Sequence, residues 1–251
     1  MNTLLKINNS LNTTEKADLY SRTLGNCQII DFPNSNKKTP KKTNSSVHRA
    51  TDPIKDKQDI ERAKSYFHDT PSRYKGTNLR NYCMFILGIN IARRISDLVN
   101  LKIKDIAYLD DNNITFKEWI EIKEKKTGKW ASFQIHPYVQ EGLKEYFNTL
   151  PPLNSDMYVF KSREGENKPI TTKRALQVMK DMANACNIKG NIGTHSLRKT
   201  KAYHLIKDNP NNPYIVAALS HELNHDSIKT TYEYCGFDKE SRSPLYMSNV
   251  L

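Results

Sequence analysis

No apolar run in this chain reaches 18 residues, which excludes an ordinary membrane-spanning helix. The longest apolar patch, Met84 to Ala92, is interrupted by Gly88 and Asn90. The amino terminus, Met1-Asn2-Thr3-Leu4-Leu5-Lys6-Ile7, lacks the basic-then-apolar order of a secretion signal. Cysteine is scarce: Cys27, Cys83, Cys186 and Cys235 show no paired spacing, which fits reduced thiols better than disulfides. Nor is there a metal-ligand pattern, since His221 and His225 lie four apart with no third ligand following. These absences predict a soluble, cytoplasmic chain that works with no metal and no cofactor.

Acidic residues are also outnumbered: 27 Asp and Glu stand against 39 Lys and Arg, giving a formal net charge of +12 and a pI near 9.4. Polyanions are the natural partners of such a chain, because neutralising phosphates releases counterions and supplies affinity independent of sequence. Charge alone does not separate DNA from RNA.

The 251 residues suffice for one substantial core and an appendage. Residues 1–51 are rich in Asn, Ser, Thr and Lys and include Lys37-Lys38-Thr39-Pro40-Lys41-Lys42, with little apolar periodicity beyond Cys27-Gln28-Ile29-Ile30. This composition predicts a basic, disordered arm, either laid along a nucleic-acid backbone or a solvated tail. The lysine run is also a weak match to a nuclear localisation signal.

From Asp52 the pattern changes. Ile60, Ala63, Tyr66 and Phe67 sit at helical spacing, and Tyr82, Phe85, Ile86 and Ile89 form one stripe of a helix from about Asn78 to Ile91. Trp119 to Ile135 alternates around a Gly-containing turn, as a hairpin does. A helix over 137–147, a strand at Tyr158-Val159-Phe160 and a helix over 171–185 are expected next. Helices over 194–207, 213–223 and 226–234 complete residues 52–238. The class is α+β, mostly helical with a small antiparallel sheet. Residues 239–251 form a tail made apolar by Leu245, Tyr246, Met247, Val250 and Leu251.

Chemistry concentrates near the end. Gly193-Thr194-His195-Ser196-Leu197-Arg198 reads as a helix start, with Thr194 able to cap it and His195 and Arg198 on one face. Leu223-Asn224-His225 adds a second imidazole, and Tyr234 follows nine positions after His225. Taken singly, neither cluster means much. Together they resemble the tyrosine recombinase (phage integrase) family, whose second signature block has His-x-x-Arg, then a Leu-Gly/Asn-His segment, then a nucleophilic tyrosine. The family's first block is similar to Ala92-Arg93-Arg94-Ile95-Ser96-Asp97-Leu98, which makes Arg94 the first catalytic arginine. Arg93 competes with it, because adjacent helical residues point about 100° apart and cannot both face one phosphate. Asp97, one turn on, is expected to hold the arginine in place. The family's hairpin lysine matches Lys126 in its Lys-Thr-Gly context, with Lys123, Lys125 and Lys129 as alternatives.

These residue types suit phosphodiester displacement. The forks of Arg94 and Arg198 neutralise the non-bridging oxygens, and His195 serves as base or proton relay for the Tyr234 phenol. By resemblance, Lys126 protonates the departing 5′ oxygen and His225 donates to the phosphate, giving a 3′-phosphotyrosyl bond. Tyr232, about 200° from Tyr234 on a helix, is left to packing, and His221 reads as an exposed helix residue, because the ninth position after it is Thr230. The resemblance implies a site-specific recombinase of a phage or mobile element, acting on double-stranded DNA as a homotetramer with accessory DNA-binding proteins, and nucleoid-associated when acting. A resolvase or inversion enzyme, a relaxing topoisomerase, or a non-catalytic basic DNA-binding protein that kept the fold are the alternatives. Most relatives carry a helical core-binding domain of about a hundred residues, an ordinary domain size. Residues 1–51 are too few and too polar to build it, so affinity is weaker, specificity rests on the catalytic domain, or a partner supplies the clamp. The apolar tail is expected to dock on a neighbouring protomer, with packing on its own domain as the alternative.

Overall fold

Asp56 closes an extended entry segment, and its carboxylate accepts from Gln58 N at 2.8 Å to cap the first helix. The computed structural model describes residues 50–237 except Arg73, Asp111 and Asn112, so nearly all of the basic arm and the whole apolar tail lie outside the described residues. Helix α1 (Lys57–Asp69) buries Ile60, Ala63 and Phe67, the positions its spacing selects. Helix α2 (Thr77–Ile91) is buried on every side, Cys83 to Leu87 being wholly enclosed, which makes it the centre of the core. It packs against α1, α5 (Pro137–Phe147) and α7 (Thr194–Lys207). Gly88 permits close packing against α7: a Cβ there would lie 2.7 Å from Leu197 Cδ1.

Two single-turn helices, α3 (Ile95–Leu98) and α4 (Ile103–Ile106), lead into two separate antiparallel hairpins. In the first, β1 (Ala107–Asp110) pairs with β2 (Asn113–Phe116), Asp110 opposite Asn113. In the second, β3 (Ile120–Lys123) pairs with β4 (Trp130–Phe133), Lys123 opposite Trp130. The second is the expected hairpin. Helix α6 (Thr172–Ala185) is capped by Thr171 Oγ1, which accepts from Arg174 N at 3.1 Å. Helices α8 (Pro213–Leu223) and α9 (Ile228–Cys235) follow α7.

Three local expectations are corrected. Tyr158 to Phe160 does not form a strand; the backbone makes only isolated bridges, Lys102 to Tyr158 and Lys161 to Pro169. Thr194 is the first helical residue rather than the cap: Gly193 occupies the cap, its N–H donating to Ser196 Oγ at 3.0 Å. The last helix starts at Ile228 because Ser227 Oγ accepts from Thr230 N at 3.1 Å.

Two apolar clusters result. The larger surrounds α2 and includes Leu197; the smaller joins Ala92, Ala202, Ile206, Val216, Leu219, Leu223 and Cys235, with Tyr234 against it. Helix α7 contributes to both, Leu197 to the larger and Ala202 and Ile206 to the smaller. Cys83, Cys186 and Cys235 are buried, while Cys27 lies outside the described residues. No described helix is long and apolar enough to cross a membrane.

Candidate active site

The two adjacent arginines are not on a helix. Helix α2 ends as Ala92 turns left-handed at φ 52°, and Arg94 is extended (φ −68°, ψ 145°) at the cap of α3. The two side chains still part, for a different reason from helical geometry. Arg93 is buried and donates to Glu124 Oε1 and Ser132 O, each at 3.3 Å, and to Glu222. Arg94 retains 17 % side-chain exposure and donates to Glu124 Oε2 at 2.8 Å. Asp97 does not hold Arg94: its Oδ1 accepts from Lys125 N at 3.0 Å, and Glu124 takes the place expected of it.

Glu124 is fully buried, and burial alone would raise its pKa. Hydrogen bonds from Thr127 and Arg94, with the charges of Arg94 and Arg93, outweigh burial and hold the carboxyl below its usual range. It is therefore a fixed anion between two cations.

Arg198 is 3 % exposed and is anchored by the carbonyl ends of two helices. Its Nη1 donates to Ala92 O at 2.9 Å, past the end of α2, and its Nη2 to Leu223 O at 2.7 Å, the last residue of α8. Both carbonyls are otherwise orphaned at helix ends, where the macrodipole favours a cation. Asn224 then adopts φ 53°, which asparagine tolerates, and turns the chain so that His225 N reaches Ser220 O at 2.9 Å.

His225 Nδ1 lies 3.0 Å from Thr231 Oγ1, which orients the ring and leaves Nε2 for a ligand. The ring meets Tyr234 edge to face, centroids 4.9 Å apart. Burial lowers the His225 pKa first, and the Arg198 charge lowers it further. Burial raises the Tyr234 phenol above its ordinary value; Arg198 opposes this by charge and by a side-chain hydrogen bond, and Arg94 adds to the opposition. Tyr232, by contrast, is 38 % exposed and sits edge to face with Phe237.

His195 is exposed at the first turn of α7. Burial of part of the ring lowers its pKa, and the charges of Arg198, Arg94, Lys199 and Lys126 lower it further. This is where Lys126 enters: of the four hairpin lysines, it alone is among the charges acting on His195. Lys129 Nζ instead reaches Asn224 Oδ1 at 3.4 Å, and Lys123 and Lys125 line a groove with Asp97, Asn100 and Trp130. The charges of Arg94 and Arg198 thus act on His195, His225 and Tyr234 alike, and that of Lys126 acts on His195. His221 is exposed on α8. Among the described residues no group of three or more His, Cys, Asp or Glu could hold a metal ion.

Two residues in this constellation were not singled out from sequence. Glu124 stands in a charged run that reads as a solvated turn. Lys199 places its Nζ 4.9 Å from the Tyr234 ring centroid, a cation over the ring face; its adjacency to Arg198 was the available signal.

The model of the Phage integrase family matches residues 56–240. A probable integrase/recombinase, YoeC of Bacillus subtilis (strain 168), is 31 % identical over 194 residues, covering 77 % of this chain and 94 % of that protein. A tyrosine recombinase of Pseudothermotoga lettingae is 25 % identical, covering 62 % of this chain and 49 % of its own length. The chain therefore spans nearly all of one relative and about half of the other. Among solved structures, the XerH site-specific recombinase bound to palindromic difH substrate, a post-cleavage complex, gives a TM-score of 0.59 at 20 % identity, over 82 % of this chain and 56 % of that one. The XerA recombinase gives 0.56 at 18 % identity, over 80 % and 66 %. These two likenesses support the fold, an α+β catalytic domain with two hairpins. Matched over most of its length by the family model and by YoeC, the chain belongs to the phage integrase family, the tyrosine recombinases.

Proposed function

We propose that this chain is a site-specific recombinase that cuts and rejoins double-stranded DNA through a 3′-phosphotyrosyl intermediate. The observation that carries the reading is the placement of Tyr234 beside Arg198 and His225, within the field of Arg94. Arg94, Arg198 and His225 Nε2 hold the non-bridging oxygens of the scissile phosphate. Tyr234 Oη attacks phosphorus, its proton passes to His195, and the bond from phosphorus to the 5′ oxygen breaks. Lys126 Nζ supplies the proton that the departing 5′ oxygen takes up. The new ester conserves the energy of the old one, so a 5′ hydroxyl reverses the step without ATP or a metal.

Integration or excision of a phage or other mobile element is the setting that fits the family and the relative named a probable integrase/recombinase. Exchange between two duplexes needs four active sites, hence a homotetramer on synapsed DNA, with accessory DNA-binding proteins supplementing the grip. The basic balance supports association with the nucleoid.

The test is covalent capture. A pool of short duplexes with randomised sequence and a nick in one strand is incubated with the protein, and denaturation-resistant complexes are recovered and sequenced. A defined set of duplexes is expected, in equal yield with magnesium or with EDTA. Recovery of no covalent DNA, or recovery that requires the metal, contradicts the reading.

A recovered duplex then permits a pH profile. Because the His195 pKa is lowered, its neutral, proton-accepting form persists below pH 6.5, the ordinary imidazole value. The acid limb of kcat/KM, which reports the free enzyme, is therefore expected to lie below pH 6.5. A limb at or above that value contradicts His195 as the base.

A further inference from the structure

We propose that Glu124 is a positioning residue that couples the phosphate-binding Arg94 to the proton donor Lys126; the inference rests on the cleavage reading above. A carboxylate removed from water costs several kcal/mol unless it is paired, so its burial beneath an exposed lysine turn calls for a reason. Its partners supply one. Oε2 accepts from Arg94 Nη1 at 2.8 Å and from Thr127 Oγ1 at 2.7 Å, while Oε1 accepts from Arg93 Nη1 at 3.3 Å. One oxygen atom is thus shared by the first arginine and by the residue that follows Lys126.

The backbone of Glu124 closes the same turn. Its N–H donates to Lys129 O at 2.8 Å, and its carbonyl accepts from Gly128 N at 2.8 Å. On the other flank, Lys125 N donates to Asp97 Oδ1 at 3.0 Å. Lys126 is therefore bracketed by two fixed neighbours, one tied to α3 and one tied to the anion that also holds Arg94. An arginine fork for the non-bridging oxygens and an ammonium for the departing 5′ oxygen of one phosphorus atom are thereby tied to a single carboxylate.

The experiment separates this role from simple structural support. Cleavage by the full chain is timed on a nicked duplex recovered by covalent capture, made with either oxygen or sulfur as the bridging 5′ atom. A thiolate, whose conjugate acid lies near about 8.5, leaves without a proton donor, so sulfur restores only defects in leaving-group protonation. Lys126→Ala sets the benchmark. Glu124→Gln is expected to be slower on oxygen by about 10²-fold and to regain at least about tenfold of this on sulfur, the remaining deficit being its lost ion pair with Arg94. Thr127→Val, at an exposed residue, is expected to lose about tenfold on oxygen and to recover likewise, and it decides the matter if Glu124→Gln does not fold. An oxygen-to-sulfur gain no larger than that of the unsubstituted protein overturns the coupling to Lys126, as does full activity of both variants on oxygen. Covalent capture that yields no duplex with the unsubstituted protein overturns the cleavage reading itself rather than the coupling.

Discussion

Tyr234→Phe is expected to abolish the covalent protein–DNA adduct, and Tyr232→Phe to leave it intact. Both side chains lie on α9, but only Tyr234 is within reach of Arg198 and in edge-to-face contact with His225. The loss on removing the sole nucleophile is at least about 10⁴-fold, because no other group in the site performs its step. Phenylalanine preserves the ring that packs against the smaller apolar cluster and under Lys199, so folding and DNA binding are expected to survive. Gel-shift affinity within about threefold of the unsubstituted protein, with no adduct, is the outcome that assigns Tyr234 to chemistry. An adduct that persists in Tyr234→Phe and disappears in Tyr232→Phe reassigns the nucleophile.

Arg198→Lys is expected to damage both catalysis and stability. Arg198 is the only side chain of the site tied to two helix-end carbonyls, Ala92 O and Leu223 O, while it also acts on the Tyr234 phenol. An ammonium cannot span both carbonyls and present a planar fork to phosphate. Losing one charge-assisted hydrogen bond in a buried position costs roughly 1.5–3 kcal/mol of stability. Losing the fork in the transition state slows cleavage by about 10²–10³-fold. Arg94→Lys provides the contrast: Arg94 is partly exposed and makes one ion pair, with Glu124, so a comparable rate loss is expected with a smaller fall in melting temperature. Equal falls for the two variants would mean that Arg198 does not anchor the helix ends as described.

How much of this was legible in the sequence depended on the range of the forces involved. Helices α1, α2, α5 and α6 were readable because their apolar spacing and caps are local: Ile60, Ala63 and Phe67 share a face whatever surrounds them. The β-prone Tyr158 to Phe160 segment predicts a strand, but a strand requires a partner, and only bridges form. The β1–β2 hairpin is not among the expected elements, although the Asp-Asp-Asn-Asn run flanked by Leu109 and Ile114 is a turn signal of the ordinary kind. Arg93 and Arg94 were placed on a helix because nothing in the letters announces that Ala92 turns left-handed. Glu124 was the least visible. In a run of Lys and Glu it reads as solvated, and only the arrival of Arg93 and Arg94 from about thirty residues upstream makes its burial tolerable. Proximity in sequence points to Asp97 for that task, whereas its side chain accepts from the hairpin turn at Lys125 N.

The proposed site residues are more legible in the sequence than the contacts that hold them. His195, Arg198, His225 and Tyr234 announce themselves by type and order, since phosphoryl transfer needs guanidinium, imidazole and phenol together. What supports them, two helix-end carbonyls behind Arg198 and Thr231 behind His225, arises from tertiary packing alone.

The central claim is chemical: a bond forms between Tyr234 Oη and a 3′ phosphate of DNA. It is tested most directly by digesting the covalent complex with nuclease and trypsin and sequencing the adducted peptide by mass spectrometry. Cleavage after Lys229 and Lys239 gives one peptide holding both Tyr232 and Tyr234. Fragments that carry the residual nucleotide on Tyr234 are the predicted result; a nucleotide on Tyr232, on a serine or on any other residue contradicts the account.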